Sequence, residues 1–229
     1  MRRLHINPVS IVGLLPENEA SFDYLSIEEA NRFLAYTNQK HENKNRWVYL
    51  LYLLAMNTGM RWGEIIALKW DKVDLARKLI IISRSYCEAS KSIQETTKGR
   101  RIRYVGINSA LLPELWSHKE TGSSCQNLVF SLNGRVLDLK NFKRDRFRKD
   151  LKEAGLREIR FHDLRHTFAS HHVMKGGSLY DLQKLLGHSG IDTTERYAHL
   201  SPESFVKSTE VVAIDGGRKV ISLEERRAG

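Results

Sequence analysis

The chain has 229 residues, and 37 Lys plus Arg against 27 Asp plus Glu give it a formal net charge of +10 at pH 7. A hydrophobic fraction of 41% beside 28% charged residues excludes disorder as its main state, and the length fits one large domain, or one domain with an appendage. The basic excess calls for an anionic partner, nucleic acid ahead of membrane, because no basic amphipathic helix or lipidation signal accompanies it.

The longest nearly continuous apolar run, Trp47 to Met56, is well short of the roughly 18 residues that a membrane-spanning helix needs. Arg2 and Arg3 are not followed by an apolar core or a small-residue cleavage site, so a secretory leader is not supported and a cytoplasmic location, in the bacterial cytoplasm or nucleoid, is expected. Cys87 and Cys125 stand far apart with no CxxC spacing, which argues against a disulfide framework and a Cys-based zinc site.

Residues 1 to about 24 carry Asn7-Pro8 and Pro16-Glu17-Asn18 without sustained periodicity and are expected to form a linker or arm. Ser26 followed by Glu29 is a capping-box pattern, and Ile27, Ala30, Phe33 and Leu34 at helical spacing predict a helix to about Gln39. Asn45 to Asn57 is apolar nearly all round, as in a helix buried within a domain, and Gly59 breaks it. A third helix is expected from near Arg61, with Ile65, Leu68 and Trp70 inward, before a turn over Asp71 to Asp74.

Leu79 to Ile82 and Arg101 to Ile107 suit strands, the second alternating basic and apolar residues so that one face is exposed. Lys98-Gly99 just before it predicts a hairpin tip that carries Lys98. A helix around Leu111 to Trp116, a short strand at Leu128 to Phe130 and a strongly basic helix from Asn141 to Ala154 follow, the last ended by Gly155. Helices over about His162 to Lys175 and Leu179 to Leu186 stop at Gly176-Gly177 and Gly187. Asp192 or Thr193 can cap a short helix carrying Tyr197, and Ser201-Pro202 opens another. The fold class expected from this pattern is mainly α with a small antiparallel β-sheet (α+β).

Six side chains form a set suited to a phosphodiester: Arg61, Lys98, His162, Arg165, His188 and Tyr197. A spacing of three puts His162 and Arg165 on one side of a helix. Arg61 and Arg165 can clamp the two non-bridging oxygens of a phosphate, since a guanidinium binds them bidentately. A tyrosine hydroxyl has a pKa near 10 and needs a base, for which His162 is placed; Lys98 can protonate a leaving oxygen, and His188 can donate to a phosphate oxygen. Such an assembly requires neither metal nor nucleotide. His162, Asp163 and His166 superficially match the zinc helix H-E-x-x-H, but Asp is shorter than Glu and Arg165 on the same face repels a dication, so no metal is assigned.

These residues resemble a family, the tyrosine recombinases or phage integrases, whose catalytic domain the chain matches from about Tyr24 to Pro202. Asn57-Thr58-Gly59-Met60-Arg61-Trp62-Gly63-Glu64-Ile65 resembles the family's first arginine box, and Thr97-Lys98-Gly99-Arg100 its catalytic-lysine hairpin. His162-Asp163-Leu164-Arg165-His166-Thr167 resembles the second box, while Leu185-Leu186-Gly187-His188-Ser189 and Thr193-Thr194-Glu195-Arg196-Tyr197-Ala198-His199 resemble the final histidine and nucleophile region. The resemblance implies that Tyr197 attacks the scissile phosphate of duplex DNA, forming a 3′-phosphotyrosine and releasing a 5′-hydroxyl. It makes Glu64 the group that orients Arg61, and sets Asp163 and His166 beside the site in supporting positions. Under the DNA reading, Lys140, Lys143, Arg144, Arg146, Arg148 and, beside the lysine, Arg100 become phosphate contacts.

The resemblance divides the chain into an arm at 1–24, a catalytic domain at 25–210 and a tail at 211–229. Family members carry a helical DNA-binding domain ahead of the catalytic one, so a chain with only an arm there is expected to be a fragment or a shortened protein that grips DNA from one side. Val211-Val212-Ala213-Ile214 offers an apolar contact for exchange of the tail between protomers, in line with a family that works as tetramers on DNA, and accessory DNA-bending proteins belong to the same expectation. The expected function is site-specific recombination, integration or excision of a mobile element. The alternatives are a relaxing enzyme of the type IB topoisomerase kind and a non-catalytic DNA-binding regulator with the same fold.

Overall fold

A computed structural model describes residues 22–42, 45–95, 102–121, 127–131, 137 and 141–200, the side chains of Lys143 and Arg144 excepted. The expectations for Lys98, Arg100, Lys140, most of the N-terminal arm, the helix at Ser201-Pro202 and the tail lie outside these residues.

Helix α1, Ile27–Lys40, begins with the capping box read from the sequence: Ser26 Oγ accepts the Glu29 N–H and Glu29 Oε2 accepts the Ser26 N–H. Helix α2, Arg46–Thr58, is the central element, with every residue from Leu50 to Met56 buried. An all-apolar helix of this kind is stable only when other elements surround it, and α1, α4 (Leu112–Glu120) and α6 (Asp163–Met174) pack on it. Asp150 is buried at the far end and accepts hydrogen bonds from Tyr52 Oη at 2.9 Å and Lys40 Nζ at 2.7 Å, with His41 Nε2 at 3.2 Å. It ties α1 and α2 to the basic segment, which is a π-type coil over Phe142–Phe147 followed by α5, Arg148–Glu153.

The β-structure is larger than expected. Strands β1 (Val73–Asp74), β2 (Leu79–Ile82) and β5 (Arg103–Gly106) form an antiparallel sheet in the order β1-β2-β5, with Val73 opposite Ile80 and Ile80 opposite Val105. Strands β3 (Arg84–Cys87) and β4 (Ser92–Glu95) make a separate hairpin whose residues are half-buried or exposed, which is why no apolar alternation announced it. Among the described residues β5 pairs with β2 and β4 with β3, and the hairpin tip expected at Lys98-Gly99 lies outside those residues. Leu128 makes only an isolated bridge to Lys69, so the strand expected at 128–130 is a buried loop.

The face that β5 exposes is the reverse of the one its composition suggests. Ile102 and Tyr104 point to solvent, while Arg103 lies on the side of the buried Val105 and Ile107. An inward arginine on a strand is stable only with partners, and those partners lie in the site.

Three short elements complete the frame. Helix α3 is Trp62–Ile66, with Arg61 at its N-cap; Leu68 and Trp70 are buried as expected but lie beyond its end. Helix α7 is Leu179–Leu186, closed by Gly187 at φ 67°. Helix α8 is Asp192–Glu195 with Ile191 at its N-cap, so neither Asp192 nor Thr193 caps it and Tyr197 falls just past its end. Gly59 ends α2 at φ 62°, and a Cβ there would sit 2.5 Å from Phe168 Cδ1 and 2.8 Å from Leu186 Cδ2. Gly59→Ala combines a left-handed backbone with overpacking, so it is expected to cost about 2 to 4 kcal/mol; a urea-unfolding midpoint unchanged from wild type would refute this.

Candidate active site

The site forms where the C-terminal ends of α2 and α7 meet the N-terminal end of α6. Both of those C-terminal ends present carbonyls with no intrahelical partner. Arg165, on the first turn of α6, fills the gap: its Nη1 donates to Gly59 O at 2.7 Å and its Nη2 to Leu186 O at 2.8 Å. The residue is only 3% exposed, and burial, followed by the charge of Arg61, lowers its pKa to about 9. Arg61 is set by α3, whose Glu64 accepts the Arg61 N–H at 2.7 Å and touches its guanidinium at 3.3 Å; the Arg61 side chain remains 37% exposed.

Glu64, expected to orient Arg61, is held more firmly by a residue that sequence reasoning passed over. Arg103 forks onto both Glu64 oxygens, Nη1 to Oε1 at 2.7 Å and Nη2 to Oε2 at 2.6 Å, and its Nε donates to Leu185 O at 2.8 Å. Against burial, which pushes Glu64 up, the Arg103 hydrogen bonds hold its carboxyl below the usual range. The basic–apolar alternation of 101–107 was the one available signal for Arg103, and it pointed outward. Asp163, also buried, accepts the Arg160 N–H at 2.7 Å and forks that residue's guanidinium, which secures the start of α6.

The histidines divide differently from the expectation. His162 is the N-cap of α6, and burial and then Arg165 lower its pKa. The partner of Tyr197 is His166: the phenol Oη lies 2.6 Å from His166 Nδ1, whereas His162 meets His166 edge to face at 5.0 Å. His166, with a pKa lowered to about 4 by burial and then by His162, is neutral near pH 7, with its Nδ1 facing the phenol. Tyr197 is 1% exposed and its pKa is raised by burial, with Arg165 and Arg196 opposing. Phe22 covers the pair, stacked on His166 at 5.0 Å and edge-on to Tyr197 at 4.8 Å. No local pattern in the sequence singles out Phe22 for this contact.

His188 follows the Gly187 cap, its N–H donating to Gln183 O at 3.1 Å and its Nδ1 lying 2.8 Å from Thr194 Oγ1. Burial, then Arg165 and Arg61, lower its pKa to about 4, so His188 lies in the field of both arginines. Arg61, Arg165 and His188 thus lie within electrostatic reach of one another, with Tyr197, whose pKa also feels Arg165, held under Phe22. Arg146 lies with its guanidinium 5.9 Å from the centre of the Trp47 ring, at the N-terminal end of α2.

Residues 23–204 match the family model described as Phage integrase family. The chain is 30% identical over 220 residues to a protein named tyrosine recombinase XerC-like from Caldanaerobacter subterraneus subsp. tengcongensis, covering 85% of this chain and 54% of that protein. It is 31% identical over 203 residues to the putative integrase of Pseudomonas phage Pf1, covering 86% and 51%. These coverages mean that the chain spans about half the length of the curated relatives it matches. Among solved structures it is similar to the XerA recombinase, with a TM-score of 0.65 at 27% identity over 84% of this chain and 66% of that one. The Tn1549 transposon integrase in complex with a circular intermediate DNA shares the fold, with a TM-score of 0.71 at 18% identity over 91% and 71%.

The two imidazoles at about 4 give the stability a definite pH dependence. Both folded-state values lie below the ordinary 6.5, so the folded chain binds fewer protons than the unfolded one between these limits. Stability should be fully present above about pH 6.5 and be lost as the pH falls towards about 4, with His166 alone contributing about 3 kcal/mol. Urea unfolding at pH 7 and pH 4.5 measures this, and His166→Asn, which keeps a polar partner for Tyr197, should flatten the dependence. An equally steep loss in that variant would contradict the assignment.

Proposed function

Because the chain belongs to the phage integrase family, we propose that it is the part of a site-specific tyrosine recombinase that cleaves and rejoins duplex DNA. The observation that carries this reading is that two guanidiniums act on one neutral imidazole, His188, beside a buried tyrosine whose hydroxyl lies 2.6 Å from an imidazole nitrogen.

Arg61 and Arg165 hold the non-bridging oxygens of the scissile phosphate, and His188 donates to one of them. Phe22 moves aside to uncover Tyr197. The phenol passes its proton to His166 Nδ1, its 2.6 Å partner, in the role the sequence suggested for His162. The Tyr197 Oη–P bond forms as the P–O5′ bond breaks, and Lys98 supplies the proton that the departing 5′-oxygen needs. Phosphate binding adds a negative charge that raises the proton affinity of each nearby imidazole, so the acceptor strengthens when the substrate arrives. The phosphoester energy stays in the enzyme–DNA bond, and when a 5′-hydroxyl of a second strand attacks, its proton passes to the neutral Lys98, the Tyr197 Oη–P bond breaks, and His166 returns its proton to Tyr197. Glu64 and Asp163 act through the arginines they hold.

The basic surface of the chain takes the rest of the duplex. Lys140, Lys143, Arg144, Arg146 and Arg100 are the proposed backbone contacts, and the family's DNA-bound structures support a duplex partner. A tetramer on DNA assembled by exchange of residues 211–229, and integration or excision of a mobile element in the cytoplasm, complete the reading. Among the described residues no helix is long and apolar enough to cross a membrane.

A nicked suicide duplex carrying the attachment site, resolved on a denaturing gel, tests the chemistry. The intact chain should form a covalent adduct and Tyr197→Phe none. Arg165→Lys, which keeps charge but loses the fork, should cleave about 100- to 1000-fold more slowly. An adduct from Tyr197→Phe would refute the nucleophile. For the surface and the tail, affinity should fall by about 0.9 log unit per log unit of salt for each phosphate neutralised, and truncation after Glu210 should weaken assembly on DNA in sedimentation while leaving cleavage measurable. A salt-independent affinity, or unchanged assembly, would refute the respective proposal.

A further inference from the structure

Thr194 sits in α8 at 0% exposure, between the phosphate-side histidine and the nucleophile. Three other buried threonines in helices of this chain return their hydroxyls to the carbonyl four residues earlier: Thr37 to Phe33 at 2.8 Å, Thr58 to Leu54 at 2.6 Å and Thr167 to Asp163 at 2.8 Å. This local bond is the default for a helical threonine. Thr194, in the first turn of the four-residue α8, has no carbonyl of its own helix four residues back, and its Oγ1 faces His188 Nδ1 at 2.8 Å. Its carbonyl accepts the Tyr197 N–H at 3.1 Å. One residue therefore touches the ring of His188 with its side chain and the backbone of Tyr197 with its main chain.

We propose that Thr194 is a positioning residue for DNA cleavage, its hydroxyl donating to His188 Nδ1 so that the Nε2–H stays directed at the scissile phosphate, while its carbonyl keeps Tyr197 in register with that histidine. The donor direction follows from chemistry. Among the described residues the Thr194 hydroxyl hydrogen bonds to no group other than His188, and an imidazole whose Nδ1 accepts a hydrogen bond carries its proton on Nε2. The His188 backbone is already anchored through Gln183, which leaves ring rotation as the remaining freedom. The Thr194 hydroxyl removes it. The proposal rests on the cleavage reading above for its function, but not for its geometry.

Thr194→Val preserves shape and removes only the hydrogen bond. In single-turnover cleavage of the suicide duplex at saturating DNA it is expected to react about 10- to 100-fold more slowly, less than the loss of a direct oxyanion donor, with duplex affinity and thermal midpoint near wild type. Thr194→Ser should restore most of the rate. In an alanine background at position 188, Thr194→Val should add nothing, because the threonine acts through that ring; an undiminished defect in His188→Ala would overturn the proposal, as would wild-type cleavage by Thr194→Val. Should the valine variant fail to fold, Thr194→Ala repeats the cycle. Nitrogen-15 NMR of the His188 ring settles the geometry whether or not the chain cleaves: a wild-type ring protonated at Nε2 that becomes a tautomer mixture in Thr194→Val is expected, and a wild-type ring protonated at Nδ1 would overturn it. Absence of any adduct from the wild-type chain would count against the cleavage reading, leaving the NMR result to decide on Thr194.

Discussion

The buried guanidinium of Arg165 and the two helix-end carbonyls that hold it, Gly59 O and Leu186 O, are the constraint on which the rest of the site depends. A buried cation is ordinarily paired with a carboxylate, which cancels its charge. Here the partners are the negative ends of two helix dipoles, which satisfy the N–H groups without neutralising the ion. The nearby carboxylate, Glu64, is engaged bidentately by Arg103 instead. The arrangement stabilises a positive charge in the interior and leaves it available to an anionic ligand, and the same two hydrogen bonds fix α2, α6 and α7 relative to one another.

The other groups of the site answer to that charge. His188 stays neutral near pH 7 because burial and the two arginines oppose its protonation. Glu64 is kept ionised by Arg103 and in turn steadies Arg61, which adds positive potential at the solvent-facing side. Tyr197 responds to two opposing influences: burial beneath Phe22 disfavours the phenolate, and Arg165 and Arg196 favour it. Burial wins in this arrangement, so the Tyr197 phenol rests protonated against His166.

Much of the architecture was legible locally. The capping box at Ser26 and Glu29, the apolar run that became α2, and the glycine stops at Gly59 and Gly187 each depend on residues within a turn of one another, and all appear at the expected places. The hairpin of β3 and β4 was not legible, because its half-exposed residues carry no apolar alternation. Arg103 was passed over for a related reason: alternation identifies two faces of a strand, but which face is inside depends on what packs there. A buried Glu64 contributed by a segment 39 residues away reverses the usual preference of an arginine for water.

The sequence by itself determined the membership in the phage integrase family, because the segments that carry Arg61, Arg165, His188 and Tyr197 are short and their spacing is a local property of the chain. Only the tertiary structure decided who partners whom. His166 rather than His162 meets Tyr197, the Thr194 hydroxyl meets the His188 ring, and Phe22, from a stretch with no periodicity, closes over Tyr197. Hydrogen-bond partners and burial are set by the packing of segments remote in sequence, and these contacts, not the residue types, determine which proton each group holds.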